Sequence, residues 1–311
     1  MSKEKKIIVT GIHGFVGGHL ARHLQSQGYA VHGIGRETSA NETIEPLIDA
    51  YSQADLLDAG SLQTVPMRGA LAIIHLAGLA SVADSFTYPD AYKADNRTMT
   101  DNLLNAAHEQ GFTGRTVVIS TGALYDATQP MPLSEASATA ELSPYSIGKL
   151  AAEATAIEHR DAGMDVVIVR PFNHIGPGQS GGFLLSDLYA QISAGASGGK
   201  AKVSVGNLAS KRDYTDVRDI VKAYELLAVA DRLDHEIYNV SSGNSYSGQQ
   251  ILDTLAREMD VEVQAVVDAS KIRPTDPAEI IGDSSRIKNE LGWSPSIPLS
   301  QTIADFVSSK N

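Results

Sequence analysis

Tyr145-Ser146-Ile147-Gly148-Lys149 separates a phenol and an amine by four residues, the spacing that puts two side chains on one face of a helix. A free phenol ionises near pH 10 and is a poor acid or base at neutral pH; a neighbouring ammonium, together with an oxidised nicotinamide, favours its phenolate. Tyr145 is therefore the candidate proton donor to a nascent alkoxide, or the acceptor in reverse, with Lys149 tuning it. Thr121, at the end of the apolar run 116–120, carries a hydroxyl suited to orient the reacting oxygen; Ser120 is the alternative. A tyrosine and a lysine at this separation also arise by chance on exposed helices. The reading as a pair rests on the hydroxyl-bearing strand end and the glycine turn that precede them in order. Asn96 falls on a helix near this site, with a plain surface role as its alternative.

Gly11-Ile12-His13-Gly14-Phe15-Val16-Gly17 follows the first apolar β-branched run and opens the first helical pattern. Gly11 permits the tight turn, Gly14 lets backbone approach a pyrophosphate, and Gly17 lets helix and sheet lie close, with the helix N–H groups of Phe15 and Val16 facing the anion. The second run ends in Ile34-Gly35-Arg36-Glu37, where an acid at 35 would have selected NAD(H) through the ribose hydroxyl. Gly35 followed by Arg36 instead leaves room and a guanidinium for a 2'-phosphate, so NADP(H) is favoured. NAD(H), with Glu37 on the ribose and Arg36 merely solvated, is the alternative. Asp55 and Leu56 are candidates for the adenine edge, and Leu76-Ala77-Gly78, after His75, ends a further strand with residues small enough for the cofactor to pass.

The elements that must position these groups alternate. Apolar runs at 7–10, 30–34, 71–76 and 116–120 are separated by helical patterns, which implies βαβ units and a parallel sheet. Another strand at 166–169 precedes a Gly-, Ser- and Pro-rich stretch, and 216–228 reads as a helix. The expected fold is α/β: a Rossmann-type doubly wound parallel sheet with a smaller C-terminal substrate-binding domain. Residues 1–170 form the dinucleotide-binding domain, rejoined by about 213–240, and 171–212 with 241–311 form the second domain. The 311 residues carry 37 acidic against 25 basic side chains, which argues against nucleic acid or an anionic membrane as partner. No cysteine is present, so disulfides, thiolate metal sites and cysteine nucleophiles are excluded, and no metal is expected. The charged start at 1–6 and the lack of a long apolar run lead to the expectation of a cytoplasmic protein.

Gly11-x-x-Gly14-x-x-Gly17, Thr121 and Tyr145-x-x-x-Lys149 together resemble the extended short-chain dehydrogenases/reductases, and the likeness runs along nearly the whole chain. Arg170-Pro171-Phe172-Asn173, Arg212-Asp213-Tyr214, Tyr238-Asn239-Val240 and Arg273-Pro274 look like that family's sugar-nucleotide segments. The resemblance implies that Asn173, Arg212 and Arg273, with Ser81 and Thr121, contact a nucleotide sugar, and that the chain is a homodimer. Within the family, the stretch 170–179 most resembles the GDP-6-deoxy-D-mannose reductases, which implies a GDP-sugar as substrate. Asp126 stands where the family usually has glycine, which puts the local loop geometry in question.

The family's 4,6-dehydratases place carboxylates directly after the catalytic hydroxyl residue, where this chain has Gly122 and Ala123, which cannot transfer protons. The expected reaction is thus reduction of a nucleotide 4-keto-6-deoxyhexose at C4. A nucleotide-sugar 4-epimerase needs the same three residues and stays open. A non-catalytic dinucleotide-binding regulator is the alternative of another class, and an intact Tyr145 and Lys149 count against it.

Overall fold

The computed structural model describes residues 5–272 and 277–310. Strands β1 (Lys6–Thr10), β2 (Ala30–Gly35) and β3 (Ala50–Gln53) enclose helix α1 (Phe15–Ser26). They are followed by β4 (Ala72–His75), α2 (Val82–Thr87), α3 (Pro89–Glu109), β5 (Arg115–Ile119), α4 (Pro144–Asp161) and β6 (Val166–Pro171). The second half contributes β7 (Asn173–Ile175), α5 (Leu184–Gly195), β8 (Lys200–Val205), β9 (Lys211–Asp216) and α6 (Val217–Val229). It continues through β10 (Ile237–Val240), β11 (Ser245–Ser247), α7 (Gly248–Glu258), β12 (Glu262–Val267), β13 (Glu279–Ile280), α8 (Ser285–Leu291) and α9 (Leu299–Ser308).

The large sheet has seven strands in the order β10-β6-β5-β4-β1-β2-β3, and every pairing in it is parallel. Its central strands read as unbroken apolar runs because helices cover both faces. Ile7, Val9, Val117 and Val167 pack under α1 and α6 with Leu20, Leu24, Tyr224 and Leu227. Ile8, Ile73, Val118 and Ile168 face α3 and α4. The strand order reverses between β1 and β4, which opens a crevice at the carboxyl ends of the strands, the place where open α/β sheets bind ligands.

After β6 the chain builds a smaller unit in which β9 pairs with β7, β11 and β13, and β8 pairs with β12. Its own core holds Leu185, Leu188, Ile192, Val203, Leu255, Ile303 and Phe306. The chain returns to the large sheet through α6 and β10, the latter pairing with β6. No helix among the described residues is long and apolar enough to cross a membrane.

Candidate active site

Residues just beyond β1, β4, β5 and β6 converge on the crevice. Gly11 takes φ of +67°, a left-handed conformation open to glycine, and a Cβ there would meet the Ala77 backbone nitrogen at 2.9 Å. A Cβ on Gly17 would lie 2.5 Å from the carbonyl oxygens of both Gly11 and Ile12, so the first turn of α1 can press onto the loop only without one. Gly14 is the N-cap of α1 and no side chain caps that end, nor does its first turn contain an acid. The N–H groups at 15–17 are thus presented at an uncapped, electropositive helix end, which suits a pyrophosphate. Phe15 reaches across to β7, its ring parallel to that of His174 at 6.4 Å between centroids.

Helix α4 begins with a reciprocal capping box, Ser143 Oγ accepting from Ser146 N at 3.1 Å and Ser146 Oγ accepting from Ser143 N at 2.8 Å, with Pro144 in the first helical position. This local sequence fixes where Tyr145 and Lys149 emerge. Both are buried, at 7% and 8% exposure. Thr121 Oγ1 accepts from Ala123 N at 3.1 Å, which leaves its own proton for the Tyr145 oxygen, to which it is hydrogen-bonded. Ser120, the alternative, is buried with its hydroxyl unpartnered and away from this contact. Lys149 Nζ donates to Ile119 O at 2.8 Å and also lies against Gly78, beside Asn96 Oδ1.

The electrostatics depart from the expectation that lysine lowers the phenol. Burial pushes Tyr145 up to about 12, the Thr121 hydrogen bond opposing it, and burial lowers Lys149 to about 8 against the pull of Glu153. The ammonium is directed to a backbone carbonyl, so desolvation dominates the phenol and keeps it protonated at neutral pH.

Asn96 is no surface residue. It is 3% exposed on α3, its Oδ1 accepting from Leu79 N at 2.8 Å and its Nδ2 donating to Leu79 O at 3.2 Å, and so holds the loop after β4. His75 fixes the same loop from below. Thr10 Oγ1 accepts from Ala77 N at 3.1 Å and therefore donates to His75 Nδ1 at 2.9 Å. Thr100 Oγ1 donates to Asn96 O at 2.9 Å and therefore accepts from His75 Nε2 at 3.3 Å. The imidazole is neutral and protonated at Nε2, and burial holds its pKa at about 3. Sequence reasoning named His75 only as a strand end. It missed Tyr92, whose ring meets Tyr145 edge-on at 6.4 Å, and the role of Gly148, where a Cβ would overlap the Tyr92 carbonyl oxygen. A glycine inside the helix between Tyr145 and Lys149 was the available signal, because it weakens a helix unless another backbone must come close.

Around the adenosine end, Arg36 is exposed and Gln53 Nε2 donates to its carbonyl at 3.1 Å. A Cβ on Gly35 would meet His13, Tyr51 and the Glu37 carboxylate, so Glu37 shares this corner with the glycine turn. Asp55 Oδ1 accepts from Leu57 N at 3.0 Å, and the Leu56 side chain belongs to the core, leaving only its backbone to face an adenine. On the far side, Asn173 is exposed on β7, which pairs with β9, the strand that carries Arg212. Arg212 Nη1 donates to Lys211 O at 2.7 Å and Pro277 O at 2.8 Å. Ser81 caps α2, accepting from Asp84 N at 3.1 Å. Arg273 lies outside the described residues. Asp126 folds its own turn, Oδ1 accepting from Thr128 N at 2.9 Å, and is not among the positive-φ residues, so the loop has no need of glycine there.

Residues 8–306 match the family described as GDP-mannose 4,6 dehydratase. The chain is 32% identical to GDP-6-deoxy-D-mannose reductase of Pseudomonas aeruginosa over 98% of its own length and 96% of that protein's. It is 29% identical to UDP-glucose 4-epimerase of Streptomyces lividans, covering 94% and 92% of the two chains. The solved structure of RMD from Pseudomonas aeruginosa complexed with NADPH superposes with a TM-score of 0.84 at 29% identity, covering 98% of this chain and 97% of that one. The glycine turn, the hydroxyl at the end of β5 and the Tyr–Lys helix thus sit in a chain that belongs to the GDP-mannose 4,6-dehydratase family of extended short-chain dehydrogenases/reductases.

Proposed function

We propose that the protein is an NADP(H)-dependent reductase of a nucleotide 4-keto-6-deoxyhexose, converting GDP-4-keto-6-deoxy-D-mannose to GDP-D-rhamnose. The observation that carries this reading is the protonated, buried Tyr145 hydrogen-bonded to Thr121 at the mouth of the crevice. A phenol held up at about 12 is suited to give a proton to an alkoxide as it forms, which is the need of reduction. The nicotinamide supplies the hydride. Thr121 orients the sugar oxygen toward Tyr145, and Lys149 braces the site between the Ile119 carbonyl and the Gly78 edge, its charge stabilising the phenolate left behind. Gly122 and Ala123 follow Thr121 in a short 3-10 turn, and no carboxylate stands there to remove a C5 proton as a dehydratase must.

Arg36, exposed beyond β2, supports NADP(H), as does the NADPH bound to the Pseudomonas relative. Asn173 and Arg212, on neighbouring strands, are the proposed contacts to the substrate diphosphate, and Ser81 and Arg273 complete the set. The protein is proposed to act as a cytoplasmic homodimer, with residues 171–212 and 241–311 as the sugar-nucleotide domain.

The test is to mix the protein with GDP-4-keto-6-deoxy-D-mannose and NADPH or NADH, follow loss of reduced-nicotinamide absorbance, and identify the product by NMR. Stoichiometric oxidation with GDP-D-rhamnose formed is expected, faster with NADPH. Interconversion of a nucleotide sugar on bound NAD, with no net oxidation, would instead make it an epimerase.

A further inference from the structure

Glu153 and Arg170 are 4% and 6% exposed and joined by two hydrogen bonds, Arg170 Nε to Glu153 Oε1 at 2.8 Å and Nη2 to Oε2 at 2.6 Å. A buried pair of this kind is weakly stabilising compared with well-packed apolar side chains, because two ions must be desolvated. Its position suggests another use. Glu153 lies one helical turn beyond Lys149 on α4, as Lys149 lies one turn beyond Tyr145, so the three descend one face of the helix. Arg170 cannot swing out to a ligand. Its Nη1 donates to Tyr125 OH at 3.1 Å, its guanidinium lies 5.0 Å from that ring's centroid, and Tyr125 OH donates onward to Asn239 Oδ1 at 2.7 Å. Asn239 Nδ2 in turn donates to Leu133 O at 3.0 Å and Asp283 O at 3.2 Å. Both oxygens of Glu153 are therefore anchored from a rigid side.

We infer that Glu153, fixed by Arg170, is a positioning residue that keeps Lys149 in its ammonium form at the catalytic site. The inference rests on the reading of Tyr145 and Lys149 given above. The groups facing Lys149 are Tyr145 and Glu153 on its own helix, Tyr92 from α3, the neutral His75 from β4 and, behind Glu153, Arg170 from β6. Glu153 is the anion of that set. Burial drives an ammonium to shed its proton, and Lys149 already sits at about 8 with Glu153 opposing the fall. Without Glu153, Lys149 would be an amine over much of the neutral range, unable to stabilise the phenolate, and would face the cation of Arg170 unshielded.

The experiment is an NMR titration of the lysine Cε resonances in the full-length protein, with the Lys149 signal assigned by its loss in Lys149→Met. Glu153→Gln is expected to lower the Lys149 midpoint by about one pH unit, a tenfold loss of ammonium over amine. If that variant fails to fold, Glu153→Gln combined with Arg170→Met removes the unpaired buried charge, and a smaller fall is expected. A Lys149 midpoint unchanged in the variant that folds would overturn the inference, since a merely structural ion pair would leave it in place. The titration needs no substrate, so it is separable from the catalytic reading. Turnover retained in Tyr145→Phe would refute that reading while leaving the electrostatic effect of Glu153 to be decided by the titration alone.

Discussion

At the scale of single residues, the site couples a proton donor held firmly in its acid form to a cation held weakly in its own. Tyr145, pushed up to about 12, stays protonated throughout the neutral range, whereas Lys149, lowered to about 8, loses its charge as pH rises through that value. The alkaline limb of kcat for ketone reduction is therefore expected near pH 8 and belongs to Lys149, and a pH–rate profile checks it. Tyr145→Phe is expected to lower kcat by about 10²- to 10⁴-fold with cofactor affinity retained, measured by turnover alongside fluorescence titration of NADPH. Thr121→Ser should keep most of the activity that Thr121→Val loses. These residues were legible because their geometry is encoded within five residues of chain or at a strand end. Arg212 was legible as a cation, but its hydrogen bond to Pro277 O spans 65 residues and no local spacing announces it.

At the scale of elements, position depends on how closely two backbones can approach. Gly148 lets α4 lie against the Tyr92 carbonyl of α3, and a methyl group there must separate the helices. Gly148→Ala is expected to destabilise the fold by about 1–3 kcal/mol and to depress turnover, through displacement of Tyr145 and Lys149, by more than its stability loss accounts for. Denaturant melts and kcat on the same preparation measure both. His75 binds the ends of β1 and β4 to α3 as a neutral group with a pKa of about 3 against an ordinary value of 6.5. In the unfolded chain it takes up a proton as pH falls below 6.5 while the folded chain does not, so its contribution is complete above 6.5 and is lost on acidification toward 3. Between about pH 6.5 and about pH 5, the wild type should lose about 2 kcal/mol relative to His75→Gln, in which this group is absent. Denaturation curves at the two pH values decide it; equal losses would remove His75 as the cause. The alternation of strands and helices was readable from periodicity. The partners of His75, Thr10 and Thr100, were not, because they come from three separate elements.

At the scale of the molecule, the sequence pattern conveys a parallel sheet more readily than it conveys how the last residues return to it. The apolar runs of β1, β4, β5 and β6 are buried on both faces and read clearly, while the segment after α8 carries short polar stretches with little periodicity. What fastens that segment is one carboxylate. Asp219, fully buried on α6, accepts from Ser296 N at 2.7 Å, Ser296 Oγ at 2.9 Å and Ile297 N at 2.8 Å, while its carbonyl accepts from Trp293 Nε1 at 2.9 Å. Burial alone would push its carboxyl up, yet these donors and Lys222 hold it below the ordinary range, so its contribution is present at neutral pH and is lost only as pH falls through that lowered value. The Lys222 ammonium, at 3.0 Å, belongs to a side chain 45% exposed, which makes the ion pair the weaker part of the arrangement. Asp219→Asn, which turns an NH2 group toward backbone donors, should therefore cost about 2–4 kcal/mol and open 293–297 to proteolysis, while Lys222→Met should cost under about 1 kcal/mol. If the two variants were equally destabilised, the ion pair and not the backbone clamp would be what joins the C-terminal segment to the dinucleotide-binding sheet.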